Sequence, residues 1–441
     1  FSILGYIMNT QIPPKETDSL ACWLNYLEHA HSKPIDMGLE RVRSVAEQLN
    51  LLQPAPYVIT VAGTNGKGST CRLLEVALMK VGLRVGVYSS PHLIRYNERV
   101  RIQGELLPDE CHVKTFAMIQ KEKLVSLSYF EFSTLSALAL FKQAKLDVVI
   151  LEVGLGGRLD ATNIVDPNFA VITSIDIDHV AFLGDNREVI GREKAGIFRP
   201  NIPVVIGEPD CPQSIRDYAI KLQCHAFYRG EDWQIIEKND RLQWQSNTLC
   251  FDNLPQPLIP VPNVGTALAV LTQLPFSMSE QMIMEAIAEA QMPGRFQTLT
   301  ANDFAHFQGR QPKSRVIIDV GHNPHAARYL ASRLQAVKKG KIFAIFSALE
   351  DKDLSGIVEP LDQLIDSWYC VGLDCWRGQE AQMVESKLLA VLPQAKTSTY
   401  KYIGDAAVKL FSEAKAEDII LVFGSFHTVA DFMLWLENSG K

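Results

Sequence analysis

The run Gly63-Thr64-Asn65-Gly66-Lys67-Gly68-Ser69 brings together the residue types needed to hold a string of phosphates. Glycines let consecutive backbone amides turn inward around an anion, a following helix N-terminus adds positive potential, and Lys67 supplies a full charge. A nucleoside triphosphate is the ligand such a loop takes. The common pattern sets Ser or Thr directly after the lysine, whereas Gly68 intervenes here, which argues against a GTPase or an ABC-type ATPase. Other polar groups fall just after apolar runs: Ser90 within 89–92, Glu152 after 147–151, Asp160 beyond the glycine-rich 154–158, and His179 after 169–175. Glu152 lies in a run so apolar that a lone carboxylate would cost on the order of several kcal/mol, so it is expected either to bind a cation or to pair with a buried Arg or Lys. A divalent ion bridging phosphates suits the first option, with Ser90 and His179 as further ligands. Magnesium favours oxygen donors, so the histidine is the less expected of the two. Lys194 carries little signal of its own, because a helical lysine is ordinarily solvated.

These residues need a scaffold that brings them to one place. Strand-like runs at 57–62, 84–88, 147–153 and 169–175 alternate with helical stretches, among them 70–81. Such alternation predicts a mostly parallel sheet wrapped by helices, in which all strand carboxyl ends share one edge and the dispersed polar residues converge opposite the phosphate loop. Between 202 and 260 the texture changes to short strands, with 233–237 and 242–245 as a hairpin, which predicts a small antiparallel insert. Helical stretches at 263–273 and 279–290 follow, the second opened by a capping serine. Met292-Pro293-Gly294 then breaks the pattern, placing a boundary at 292–298. Beyond it, strands at 315–320, 341–346, 367–371 and 418–423, with a helix at 324–337, form a second block. The expected fold class is α/β: an N-terminal P-loop-type, mostly parallel sheet domain with a small antiparallel insert (1–294), plus a smaller C-terminal doubly wound, Rossmann-like α/β domain (298–441).

Length and composition agree with this. A chain of 441 residues, 47% hydrophobic and 21% charged, suits two or three globular domains with sizeable cores. A net charge of −7 and the lack of a Lys/Arg block speak against nucleic acid or anionic membrane as partners. Eight cysteines without a CxxC pair fit free thiols in a reducing cytoplasm better than disulfides or a structural zinc site. No apolar run reaches the ~18 residues of a membrane span. Residues 1–7 lack the basic flank of a signal peptide and read as an extension ahead of Met8. No long exposed apolar face points to an obligate partner, so a monomer is expected.

Taken together, the segments 62–69, 89–99, 151–163, 178–179, 192–198, 293–296 and 319–324 resemble the folylpolyglutamate synthase/dihydrofolate synthase family, relatives of the Mur ligases. The likeness runs from about Asp18 to Phe432 and is greatest to the bifunctional proteobacterial type. It implies ATP as co-substrate in an interdomain cleft, held by Thr64, Asn65, Gly66, Lys67, Gly68 and Ser69, with Asn263, Arg295 and Asp319 completing the nucleotide site. In physical terms Arg295 suits a transferring phosphoryl group and Asp319 the ribose hydroxyls, although Asp319 also reads as a cap for the helix at 324–337. The resemblance further implies Mg²⁺ ligation by Ser90, Glu152 and His179, with Lys194 converted by CO₂ to a carbamate, a change from cation to anionic ligand. A pterin pocket is implied at Ile35-Asp36-Met37, Ser128-Tyr129-Phe130-Glu131 and Leu159-Asp160-Ala161, where an aromatic ring and carboxylates suit a pterin's face and N–H groups. Phe130 reads equally well as plain core. Gly321 departs from the family's usual alanine, and Ile175-Asp176-Ile177 is an unusual lead into Asp178-His179.

The implied reaction activates the carboxylate of 7,8-dihydropteroate or a reduced folate as an acyl phosphate, which the amine of L-glutamate then displaces. Lys67, Arg295 and Mg²⁺ would spread the charge of phosphoryl transfer, with His179 and Lys194 beside them. Domain closure would keep water from the intermediate. Two alternatives stand beside it: a Mur-type ligase acting on a nucleotide-linked peptide, against which the pterin-pocket residues argue, and a nucleotide-binding switch or motor acting through a partner.

Overall fold

The computed structural model describes residues 12–439, so the reading of 1–7 lies outside the described residues. The chain divides into two compact units. One gathers the residues up to 290 apart from 93–95 and 258–260; the other takes those two stretches and everything from 291 onward.

The first unit is built on eight strands: β1 (Tyr57–Ala62), β2 (Val85–Tyr88), β3 (Val100–Ile102), β4 (Glu105–Leu106), β5 (Val148–Glu152), β6 (Phe169–Ile172), β7 (Pro203–Ile206) and β8 (His225–Tyr228). Their order is β4-β3-β2-β5-β1-β6-β7-β8. From β2 to β8 every pairing is parallel, and only β3 and β4 run antiparallel at the edge. Helices cover both faces, which is why β1 and β5 read as unbroken apolar runs instead of alternating. Leu20–His29, Glu40–Gln48, Asp109–Glu122 and Tyr129–Ala144 share one buried cluster, and Arg187–Ala195 and Gln213–Lys221 another.

The antiparallel insert is smaller than the texture of 202–260 suggests. Strands β7 and β8 are joined through helix Gln213–Lys221 and extend the main sheet in parallel. Only β9 (Trp233–Lys238), β10 (Arg241–Ser246) and β11 (Cys250–Leu254) form a separate antiparallel sheet. Short strands look alike in sequence whether they pair locally or across a helix. The β9–β10 hairpin does lie where expected, closed by Asn239 and Asp240, both in the left-handed region at φ 51° and 60°, the conformation that two-residue hairpin turns require.

The second unit's sheet has the order β12-β13-β17-β14-β15-β16, from β12 (Gln297–Thr298), β13 (Arg315–Asp319), β14 (Ile342–Phe346), β15 (Ser367–Val371), β16 (Thr397–Tyr400) and β17 (Ile419–Phe423). All pairings but β12–β13 are parallel. Helices Pro324–Val337, Leu354–Val358 and Ala381–Val391 contribute to one buried cluster, and Ile403–Glu413 and Phe426–Asn438 to a second. This is the doubly wound arrangement. No helix among the described residues is long and apolar enough to cross a membrane.

Candidate functional site

The phosphate loop leaves β1 and enters helix Lys67–Lys80, which begins three residues earlier than the apolar pattern alone predicts, so Lys67, Gly68 and Ser69 form its first turn. Gly66 is the N-cap at φ 84°, and a Cβ there would lie 2.3 Å from Asn263 Oδ1. Only glycine meets both demands. Asn263 in turn donates from Nδ2 to Ser69 Oγ at 2.8 Å, so a residue far away in sequence sits on the loop. The exit of β6 braces the other side. Thr64 N donates to Ser174 O and Asn65 N to Ser174 Oγ, each at 2.9 Å, while Thr173 Oγ1 donates to Asn65 O at 2.5 Å. That bracing bears on why β6 ends at Ile172 and not at 175: Thr173 Oγ1, Ser174 and Asp176 turn to the phosphate loop, and Ile175 N turns to Glu208. Lys67 Nζ donates to Gly63 O at 2.9 Å, curled over the loop.

Glu152 ends β5 paired with Val61, two residues before the loop, and is 6% exposed. Lys67 and Glu152 both act on the buried Cys71 thiol, whose pKa is pushed well up by burial and then by Glu152. His179 is left-handed at φ 50° with its side chain half exposed. Lys194 overturns the expectation of a solvated helical lysine, being 3% exposed. Burial, and after it the Lys67 charge, lowers its pKa to about 7, with Asp178 and Asp160 opposing. The helix end carrying it is pinned by Arg158 N to Glu193 O at 2.8 Å and by Asn163 Nδ2 to Gly196 O at 3.1 Å. Among the described residues no three His, Cys, Asp or Glu side chains gather as a metal site. Lys194 is a buried, readily neutral amine, the form of a lysine that can take up CO₂ and so gain an anionic oxygen.

All ten residues assigned above to a pterin pocket line one cavity of about 410 Å³. Ile35, Asp36 and Met37 come from the loop ahead of helix Glu40–Gln48, Ser128 to Glu131 from the start of Tyr129–Ala144, and Leu159, Asp160 and Ala161 from the turn after β5; Ser90 and His179 line it too. Phe130 is stacked on Tyr88 at 6.0 Å and so belongs to the core and the cavity wall at once.

The carboxylates are less available to a ligand than their types suggest. Asp160 Oδ1 accepts from Gly154 N and Leu155 N, and Oδ2 from Thr162 N and Oγ1, which uses about four lone-pair sites. Burial raises its pKa against these bonds. Glu131 Oε1 accepts from Ser128 N at 2.8 Å in a capping box, and Oε2 from Arg41 at 2.9 Å. Asp36 Oδ2 meets His31 at 2.8 Å and Arg41 at 3.2 Å, and its pKa is lowered, chiefly by His31. The Ser-x-x-Glu spacing at 128–131 was a readable sign of the cap.

Two arginines escaped the reading of the sequence. Arg41 ties Asp36 to Glu131, and so joins two walls of the cavity. Arg99, nearly buried, lines the cavity with its guanidinium 5.3 Å from the Tyr129 ring and donates from Nε to His92 Nδ1 at 2.8 Å. Burial, helped by Arg99, lowers the His92 pKa to about 4, which keeps that ring a neutral acceptor. Arginines at strand and helix starts carry no mark in sequence that separates them from surface charge.

In the second unit Asp319 ends β13, buried, and accepts from Phe296 N at 3.0 Å and Gly321 N at 2.8 Å. It does not cap the following helix; Asn323 does, accepting from Ala326 N at 2.9 Å. Burial raises the Asp319 pKa and Arg295 opposes this, while the Arg295 guanidinium lies 5.7 Å from the Phe426 ring. A Cβ at Gly321 would lie 2.8 Å from Asp319 Oδ1, which gives the glycine at this position a physical reason.

Residues 61–240 match the Mur ligase middle domain and residues 294–426 the Mur ligase glutamate ligase domain. The chain is 54% identical over 431 residues to the dihydrofolate synthase/folylpolyglutamate synthase of Haemophilus influenzae, covering 96% of this chain and 99% of that protein. It superposes on Escherichia coli FolC in complex with DHPP and ADP with a TM-score of 0.89 at 49% identity, over 96% of this chain and 99% of that one. A bifunctional folylpolyglutamate synthase/dihydrofolate synthase with Mn, AMPPNP and L-glutamate bound gives a TM-score of 0.87 at 49% identity, over 96% and 100% of the two chains.

Proposed function

The chain belongs to the dihydrofolate synthase/folylpolyglutamate synthase family, and from that premise we propose how its own residues divide the reaction. It is an ATP-dependent ligase that joins L-glutamate by an amide bond to 7,8-dihydropteroate, making dihydrofolate, and to reduced folates, making their polyglutamates. Nucleotide and pterin binding fall to residues 1–294 and glutamate handling to 298–441. The pterin occupies the 410 Å³ cavity with its ring against Phe130. There the backbone and the Asp36 carboxylate face it, while Asp160 and Glu131 keep the loops in shape. The observation that carries this reading is the convergence of three separate chain segments on one cavity that also holds Ser90 and His179.

Thr64, Asn65, Gly66, Gly68 and Ser69 wrap the phosphates, and Lys67 swings from its Gly63 contact onto them. Asn263 steadies the loop through Ser69. The substrate carboxylate attacks the γ-phosphorus, ADP leaves, and an acyl phosphate forms; the glutamate amine then displaces inorganic phosphate and loses a proton. Ser90, Glu152, His179 and Lys194, the last as a carbamate, would hold the divalent ion, Mg²⁺ in this reading. When bound, that ion neutralises charge on the phosphate oxygens. The neutral Lys194 amine adds to CO₂ with loss of a proton, a step its lowered pKa favours. Eight free thiols support a reducing, cytoplasmic setting for this reading.

The test is ADP release measured with dihydropteroate or tetrahydrofolate, each with and without glutamate, and mass spectrometry of the products. Release that needs both the pteroate and glutamate is the expected result. ATP hydrolysis indifferent to both would return the chain to the switch or motor class.

A further inference from the structure

The unusual lead Ile175-Asp176-Ile177 sits where three parts of the proposed phosphate and metal centre meet. On one side Ser174 and Asp176 hold the phosphate loop: Thr64 Oγ1 donates to Asp176 O at 3.0 Å and accepts from Asp176 N at 2.9 Å, beside the Ser174 bonds to Thr64 and Asn65. On the other side the chain continues to His179 and then to helix Arg187–Ala195, which carries Lys194. The peptide groups of Ile175 are bracketed by one ion pair. Glu208, on the loop after β7, accepts from Ile175 N at 3.2 Å; Arg187 lies with its guanidinium 3.4 Å from Ile175 O and pairs with Glu208 at 2.9 Å. Arg187 also donates to Asp210 O at 2.8 Å and meets the Asp210 carboxylate at 3.0 Å, which anchors it to the same loop.

We propose that the Arg187–Glu208 pair is a positioning device that sets the spacing between the phosphate loop, His179 and Lys194. Glu208 is mostly buried and Arg187 two-thirds so, and their bonds to Ile175 act on backbone, so they fix the path of the segment independently of its side chains. Ile175 lies between Ser174 and Asp176, which brace the phosphate loop, and Arg187 opens the helix whose last turn carries Lys194. Loosening the pair therefore lets His179 and Lys194 drift from the phosphate loop without unfolding the sheet beneath. Neither residue lines the substrate cavity, so the effect is confined to metal and nucleotide.

This rests on the ligand assignment above, and the experiment separates the two. Mn²⁺ binding with AMPPNP is followed by electron paramagnetic resonance on the full-length protein, for wild type, Glu208→Gln, Arg187→Lys, Arg187→Ala and His179→Ala, with calorimetry of dihydropteroate binding alongside. The expected result is a ~10–100-fold loss of Mn²⁺ affinity in Glu208→Gln and Arg187→Ala, the range typical of groups that orient metal ligands, with partial retention in Arg187→Lys and dihydropteroate affinity within about twofold of wild type. Unchanged Mn²⁺ affinity in Glu208→Gln and Arg187→Ala, while His179→Ala loses it, overturns the positioning role alone. Unchanged affinity in His179→Ala as well overturns the ligand assignment. An equal fall in Mn²⁺ and dihydropteroate affinity marks a general structural role and also overturns the proposal.

Discussion

The phosphate loop and the cavity near it lie in one unit, yet they are held by different means. The loop is shaped by backbone: a left-handed Gly66, the first turn of helix Lys67–Lys80, and amides of Thr64 and Asn65 bonded to Ser174. The cavity is shaped by charged side chains from distant segments, with Arg41 strapping Asp36 to Glu131 and Asp160 gathering the turn after β5. A site made of backbone is written in consecutive residues and tolerates almost no change at its glycines. A site made of side-chain straps is spread along the chain and gives way by degrees.

That contrast can be broken at several points. Lys67→Ala removes the one full charge on the loop and is expected to lower kcat by ~10³, with dihydropteroate binding intact by calorimetry; equal loss of both would blur the two regions into one. Gly66→Ala meets Asn263 at 2.3 Å and a left-handed backbone together. It should raise KM for ATP by ~10–100-fold, since left-handed strain alone costs about 1–2 kcal/mol. Arg41→Met leaves the mostly buried Glu131 without its cation and should raise KM for dihydropteroate about tenfold while KM for ATP stays put, the cost being roughly that of one charge-assisted hydrogen bond. A shift in the ATP constant would show that the strap reaches the loop.

The smallest expected effect concerns pH. Lys194 has a folded pKa lowered from 10.5 to about 7 by burial, so the unfolded chain binds its proton more tightly than the folded one. Burial therefore penalises the fold fully below about pH 7, and stability recovers as pH rises from there towards 10.5. In CO₂-free buffer Lys194→Met should melt a few degrees (~2–4 °C) above wild type at pH 6 and converge with it near pH 10. A constant offset across that range would mean the lysine does not titrate there. Wild-type activity limited by bicarbonate should fall as pH drops below about 7, because only the neutral amine takes up CO₂.

Much of the scaffold was legible beforehand. β1, β15 and helix Pro324–Val337 fall on the residues expected, because long apolar runs bounded by Gly, Pro or Asn leave little choice of structure. The errors at 173–175 and 202–230 share a cause: in both places a short segment is decided by what it pairs with at a distance. β7 joins β6 in the main sheet, and Thr173 and Ser174 turn to the phosphate loop.

Glycine spacing, the lysine and the strand–loop–helix order around them were enough to announce a triphosphate site, since those backbone demands are met by neighbours in sequence. Tertiary structure alone decided that Asn263 touches Gly66 and Ser69, that Lys194 is buried with a pKa near 7, and that Asp160 and Glu131 spend their oxygens on the protein. Burial and pairing are relations between segments far apart along the chain, and a residue's type limits them without fixing its partner.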